Sequence, residues 1–183
     1  MAATGTFQLD IEEVRRRARE HMEQGAVTPD YEGDVDTSVK LLNDALATEL
    51  VCVLRYRFHA VTAQGINSEA IKEEFAEHAK DEQEHAEMIA ERINQLGGKP
   101  NFNPEGLHLR SATQYVEGDS LEEMIQEDLV AERIAIETYR EMVRYFANHD
   151  PTTRAMLETI LAKEEEHAND MQDLLASHRR DPH

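Results

Sequence analysis

Cysteine is nearly absent: the 183 residues contain one, Cys52. A lone thiol makes no internal disulfide and no multi-thiolate zinc site, which excludes a secreted disulfide scaffold and favours a reducing, cytoplasmic setting. Tryptophan is missing, and aromatic residues make up only 5% of the chain. Long apolar runs are missing too. The longest, Leu50–Leu54, falls far short of the ~20 residues of a membrane span, and the first thirty residues hold no apolar signal core. Neither a membrane nor an export route is expected. Basic residues are few, 19 Lys and Arg against 38 Asp and Glu, for a net charge of −19. That balance opposes a nucleic-acid partner held through phosphates and suits cations.

The acids are 26 Glu and 12 Asp, and Glu is the stronger helix former of the two. Four stretches of helical periodicity, 36–64, 68–96, 120–148 and 151–177, run free of internal Pro and Gly. At 1.5 Å per residue each is roughly 40 Å long. Gly65 follows the first and Gly97-Gly98 the second, Ser120 with Glu123 forms a capping box before the third, and Asp150-Pro151 starts the fourth. Short turns at 64–67 and 148–151 make two antiparallel hairpins, and the Pro- and Gly-bearing segment 97–119 is a long crossover between them. Two hairpins joined this way predict an all-α, ferritin-like four-helix bundle. The domain reading is an N-terminal extension, 1–35, a bundle, 36–178, and a tail, 179–183, with Asp181-Pro182 breaking the end. In the extension, Ile11, Val14, Ala18 and Met22 predict a short amphipathic helix over Leu9–Gln24 that packs on the bundle or on a neighbouring subunit. Its Arg15, Arg16, Arg17 and Arg19 are offset by Glu12, Glu13, Glu20 and Glu23, which favours a solvated face over a nucleic-acid contact.

Glu-x-x-His occurs three times, as Glu82/His85, Glu105/His108 and Glu164/His167. The second lies in the crossover. The other two lie inside helices, at the i, i+3 spacing that sets both groups on one face. Glu164 and His167 share a stripe with Leu157, Ile160, Leu161, Ala168 and Met171, and Glu82 and His85 share one with Phe75, Ala79, Ala86 and Ile89. Glu49 falls among Ala45, Leu46, Cys52 and Val53. Glu132 falls among Ile125, Leu129, Ala135, Ile136 and Tyr139. Each helix thus drives one Glu into the core, with no Lys or Arg on these stripes to compensate. Converging buried carboxylates demand positive charge. Two divalent cations balance four carboxylates and leave two neutral imidazoles to complete the shells, a donor set suited to iron or manganese. The hairpins repeat the pattern, with 33 residues from Glu49 to Glu82 and 32 from Glu132 to Glu164.

The segment 36–177, with Glu49-Leu50-Val51 followed by Tyr56 and His59, resembles the bacterioferritin branch of the ferritin-like superfamily, and most of all its shorter, Dps-like members. The resemblance implies a ferroxidase for iron storage and detoxification. Two Fe(II) per subunit would be held by Glu49, Glu82, His85, Glu132, Glu164 and His167, oxidised with hydrogen peroxide or dioxygen, and stored as ferric mineral in a hollow cage that protects against oxidative stress. It further implies that Asp128 orients His85 and that Tyr56 stands near the metals, although capping or solvation of Asp128 and core packing of Tyr56 are the ordinary alternatives. Gln83 occupies the position of the family's haem-ligating Met, and Met88 points elsewhere, so no haem is expected. Only 16 residues follow His167, which favours a cage of twelve subunits over one of twenty-four. Twelve subunits at −19 each argue against direct DNA binding. For Cys52 a small core residue outweighs a redox role. His59 and His78 are candidates for a secondary iron site, with packing or a surface hydrogen bond the commoner outcome, and Glu77 and Asp81 read as a solvated face. Two other functions fit the same residues: a di-metal peroxide-scavenging enzyme, rubrerythrin-like or manganese-catalase-like, without mineral storage, and a non-enzymatic helical assembly protein.

Overall fold

The computed structural model describes residues 8–65 and 68–180. Its helices are α1 (Ile11–Arg17), α2 (Val35–Thr62), α3 (Ser68–Gln95), α4 (Leu107–Arg110), α5 (Leu121–Phe146) and α6 (Pro151–Arg180), with one 3-10 turn at Met22–Gln24. No strand occurs among the described residues.

Local chemistry sets the long helices. Asp34 caps α2 by accepting from the amides of Asp36 and Thr37. Ser120 caps α5 through the amide of Glu123, whose carboxylate reaches back to the amide of Asp119 rather than to that of Ser120. Asp150 caps α6 through the amide of Thr153 at 2.9 Å. At the end of α3, Gly97 takes φ +78° while its amide bonds Asn94 and that of Gly98 bonds Ile93, the paired bonds of a Schellman ending. Helix α6 runs to Arg180, past the boundary expected at 178, with Arg179 tied to Glu122 of α5 at 2.7 Å. Asn67 of the first turn and the Asp181-Pro182 break lie outside the described residues.

Helix α2 packs along α3, and α5 along α6, as two hairpins. They face each other through α2 against α5 and α3 against α6, while the crossover lays α4 on α2. Two buried apolar clusters result. One gathers Leu42, Leu46, Ile89, Ile93, Phe146, Leu157 and Ile160. The other gathers Tyr56, Ile71, Phe75, Ile125, Met171 and Leu175. In all four helices the Glu of the apolar stripe falls between the two clusters, so a polar layer interrupts the core.

The N-terminal helix departs from expectation. It spans Ile11–Arg17 instead of Leu9–Gln24 and buries none of its residues, and a left-handed His21 separates it from the 3-10 turn. Its arginines are spent on acidic partners, Arg15 with Glu12, Arg16 with Glu13 and Glu20, and Arg17 with Glu13 and the more distant Asp30. With Ile11 and Val14 exposed, no apolar face anchors a longer helix. It is Val27 and Tyr31, further along, that pack against the bundle.

Candidate metal centre

The interrupting layer collects Glu49, Glu82, Glu132 and Glu164, each no more than 1% exposed, with His167 fully buried and His85 at 6%. Their donor atoms form two overlapping four-donor groups, Glu49, Glu82, His85 and Glu164 in one and Glu82, Glu132, Glu164 and His167 in the other, and Glu132 and His167 also come together with His78. Within each group the donors lie within 4.8 Å of one another. Glu82 and Glu164 belong to both, as bridging carboxylates between two adjacent cation pockets do. His85 Nδ1 stands 2.9 Å from Glu164, 3.4 Å from Glu49 and 3.6 Å from Glu82. His167 Nδ1 stands 3.5 Å from Glu82 and 3.9 Å from Glu132.

Buried polar atoms are normally bonded, and here they are not. Glu49 Oε2, Glu82 Oε1, His85 Nδ1, Glu132 Oε2, both carboxylate oxygens of Glu164 and His167 Nδ1 have no hydrogen-bond partner. Among the described residues Arg154 Nε alone shares that condition. Unpaired oxygens and imidazole nitrogens turned toward one point fit a pair of hard or borderline divalent cations.

The surroundings hold this set in place. Tyr56 of α2 donates to Glu132 of α5, and Tyr139 of α5 donates to Glu49 of α2. Each tyrosine lies seven residues after the glutamate of its own helix and serves the glutamate of the other. Asp81 stands 3.2 Å from His167 Nε2, so it accepts that N–H and leaves Nδ1 bare toward the cluster. Lys163 reaches the same Asp81 oxygen at 3.2 Å.

The titration behaviour follows from crowding. Burial and the charge of Glu82 push Glu49 well above the usual carboxylate range. Burial and the charges of Glu82, Glu49 and Glu132 do the same to Glu164, and burial with Glu82 raises Glu132 to about 7. Burial works against ionised Glu82 also, but the close approach of Glu49, His167 and His85 outweighs it and holds Glu82 low. The imidazoles behave in the opposite sense. Burial opposes their charge, yet the facing carboxylates of Glu164, Glu49 and Glu82 raise His85, and Glu82 and Glu132 raise His167 to about 9. Protons therefore occupy the roles that cations take on binding.

Access is short. A surface groove of about 360 Å³, lined by Asp81, Glu84, Met88, Lys163 and Glu166, opens directly onto His85.

Other expected residues go elsewhere. Asp128 does not orient His85. It is fully buried against Arg55 Nε at 2.8 Å and His59 Nδ1 at 2.7 Å, because α5 turns it toward α2 and away from α3. His59 is spent on this network and on the carbonyl of Glu117 at 2.8 Å, which leaves it no role as a secondary metal ligand. Arg55 also corrects the expectation of stripes free of basic residues, since it is 1% exposed and bonds the carbonyl of Gln114. Cys52 is a buried core residue whose thiol is pushed well up by burial. Glu105 and His108 stay in the crossover, apart from the cluster. Gln83 is half-buried and bonds Glu87 at 3.0 Å. Sequence reasoning missed Asp81 as a partner of His167 and Tyr139 as more than core. The seven-residue offset shared by Glu49/Tyr56 and Glu132/Tyr139 was the available signal for the second.

Comparison with known proteins adds four likenesses. Residues 39–180 match the model of the ferritin-like domain. The chain is 31% identical over 146 residues to a bacterioferritin of Mycobacterium leprae, covering 79% of this chain and 87% of that protein. It is 34% identical over 140 residues to a nutrient stress-induced DNA-binding protein of a Synechococcus species, covering 74% and 78%. Among solved structures, the dodecameric thioferritin that is the bacterioferritin-related protein of Bacteroides fragilis superposes with TM-score 0.78 at 32% identity, covering 81% of this chain and 90% of that one.

Proposed function

This chain belongs to the ferritin-like family, and on that premise we propose that it is an iron-storage and detoxification ferroxidase. Fe(II) is its substrate, taken two at a time by Glu49, Glu82, His85, Glu132, Glu164 and His167. The observation that carries this reading is the set of unpartnered carboxylate and imidazole atoms shared between two four-donor pockets. Bridging Glu82 and Glu164 hold two cations close enough to act on one oxidant, and carboxylates favour the rise in charge from Fe(II) to Fe(III). Each Fe(II) releases one electron. A pair reduces one dioxygen to peroxide, or splits one peroxide O–O bond to water, with protons drawn from the medium.

In this reading the ferric product is stored as mineral inside a cage of twelve copies, which the likeness to the dodecameric thioferritin supports. The domain division remains an N-terminal extension ahead of one bundle and a short tail. A cytoplasmic setting accords with the lone thiol and with the absence, among the described residues, of any helix long and apolar enough to cross a membrane. The Synechococcus relative is named for DNA binding, but a chain at −19 repels phosphate, so protection here is chemical, through removal of Fe(II) and oxidant together.

The test is anaerobic Fe(II) titration followed by separate exposure to dioxygen and to peroxide, reading ferric absorbance, retained iron and particle mass. Fast oxidation saturating near two irons per chain and abolished by Glu82→Ala with Glu164→Ala, followed by uptake into a large particle, is the expected result. Oxidant consumption without retained iron makes the protein a peroxide-scavenging di-metal enzyme instead. Absence of specific binding leaves only an assembly role.

A further inference from the structure

Within two turns before Glu82 on α3, a further group of donors comes together at the edge of the buried centre, sharing with it only the neighbourhood of His78. Glu74 and His78 of α3 and Asp170 of α6 offer ligand atoms within 4.8 Å of one another. His78 Nε2 lies 3.3 Å from Glu74 Oε1 and 3.7 Å from Asp170 Oδ2. The imidazole is 2% exposed, while the two carboxylate side chains are 35% and 42% exposed, so the group spans the step from interior to surface.

The hydrogen-bond network decides which nitrogen of His78 is bare. Tyr56 has one hydroxyl proton, and it goes to Glu132. The tyrosine oxygen is then an acceptor for His78 Nδ1–H at 3.2 Å. A neutral imidazole in that tautomer turns its Nε2 lone pair toward two carboxylate oxygens, and Nε2 makes no hydrogen bond to either. Three electron-rich donors facing one another in a half-buried notch repel unless a cation sits among them. Burial and the charge of Asp170 push Glu74 up, and burial and the charge of Glu166 push Asp170 up. The His78 ring also lies flat against that of His167, with centroids 3.9 Å apart at 21°.

We propose that Glu74, His78 and Asp170 form a third divalent-cation site, for a first-row transition cation, which stages metal ions on their way to the buried centre. One imidazole and two carboxylates suit Fe(II), Mn(II) or Zn(II), and one such cation neutralises both carboxylates. His78 is the physical link, with Nε2 directed at the staged ion, Nδ1 connected through Tyr56 to Glu132, and its ring face on His167. The site stands by itself; only its staging role rests on the function proposed above.

The experiment is anaerobic titration with Co(II) alone, read by equilibrium dialysis and visible ligand-field absorption, on the full chain and two variants. The native protein is expected to bind about three Co(II) per chain, Glu74→Gln with Asp170→Asn about two, and Glu82→Ala with Glu164→Ala about one. Equal counts in the native protein and the Glu74→Gln, Asp170→Asn variant overturn the third site. A count unchanged by Glu82→Ala with Glu164→Ala but lowered by the other pair sinks the buried centre and upholds this site, so the two failures are distinguishable. Both Glu74 and Asp170 are partly exposed and their amide replacements are isosteric, so the fold is retained, which matching circular dichroism verifies. Stopped-flow loading of the centre at limiting Fe(II) should slow about tenfold or more in the Glu74→Gln, Asp170→Asn variant; equal rates remove the staging role.

Discussion

Tyr139 on α5 hydrogen-bonds across the bundle to Glu49 on α2, and Tyr56 on α2 returns the same contact to Glu132 on α5. Burial and the neighbouring carboxylates raise both phenols far above their ordinary range, so each remains a proton donor. The centre is therefore built by exchange between the hairpins.

Replacing Tyr139 with Phe removes the donor and adds one more unpaired oxygen to a fully buried carboxylate. The expected loss is about 1–3 kcal/mol of unfolding free energy in metal-free protein. Denaturant titration with and without Zn(II) checks it. The deficit should shrink with metal, which satisfies Glu49 directly, and an equal deficit in both conditions would assign Tyr139 to packing alone.

Asp81→Asn takes away the negative charge that fixes the tautomer of His167. Metal affinity should fall about 10–100-fold, the usual cost of losing such a partner. Competition with a chelator measures it, and an affinity within twofold of native would show that Lys163 and packing suffice to orient the ring.

Arg55 and Asp128 form an ion pair in which neither side chain is more than 1% exposed. Arg55→Met leaves Asp128 with only His59 as a charged or ionisable partner, and the expected cost is about 3–5 kcal/mol. The metal count should not change, since this pair faces the crossover carbonyl of Gln114 and not the cluster. Metal loss at full folding would place Asp128 in the centre after all.

Stability of the metal-free protein should fall as pH rises. Glu132 goes from an ordinary 4.5 to about 7, and His167 from 6.5 to about 9. Both folded values are raised, so their contributions are complete below the unfolded values. They disappear between 4.5 and 7 for Glu132 and between 6.5 and 9 for His167. Metal binding, which must displace these protons, should strengthen over the same interval. Thermal unfolding across that range, repeated with saturating Zn(II), should give opposite slopes; parallel slopes would remove the protons from the account.

Much of the centre is legible in the amino-acid sequence, and for a local reason. Glu49, Glu82, Glu132 and Glu164 stand out because helical periodicity makes a charged residue on an apolar stripe conspicuous, and the i, i+3 histidines share that face whatever packs against it. The caps at Ser120 and Asp150 are legible in the same way, since an N-cap needs only its own first turn. By contrast, Asp150 also binds Arg92 at 2.9 Å and accepts from Tyr31, 119 residues away, and nothing in its neighbourhood along the chain announces either contact.

By itself, then, the sequence determined four long helices, two hairpins with a crossover, and one buried carboxylate per helix, all consequences of interactions within a turn or two of the chain. The tertiary structure decided which of these groups meet. The rotation of one hairpin against the other sent Asp128 to Arg55 and His59 instead of His85, brought Asp81 under His167, and crossed Tyr56 and Tyr139 between the pairs. It also withheld a packing face from α1, so that a helix predicted over Leu9–Gln24 stops at Arg17. Periodicity reports which side of a helix is buried, but the partner across the interface depends on crossing angle and axial shift, and these are set by the packing of all four helices at once.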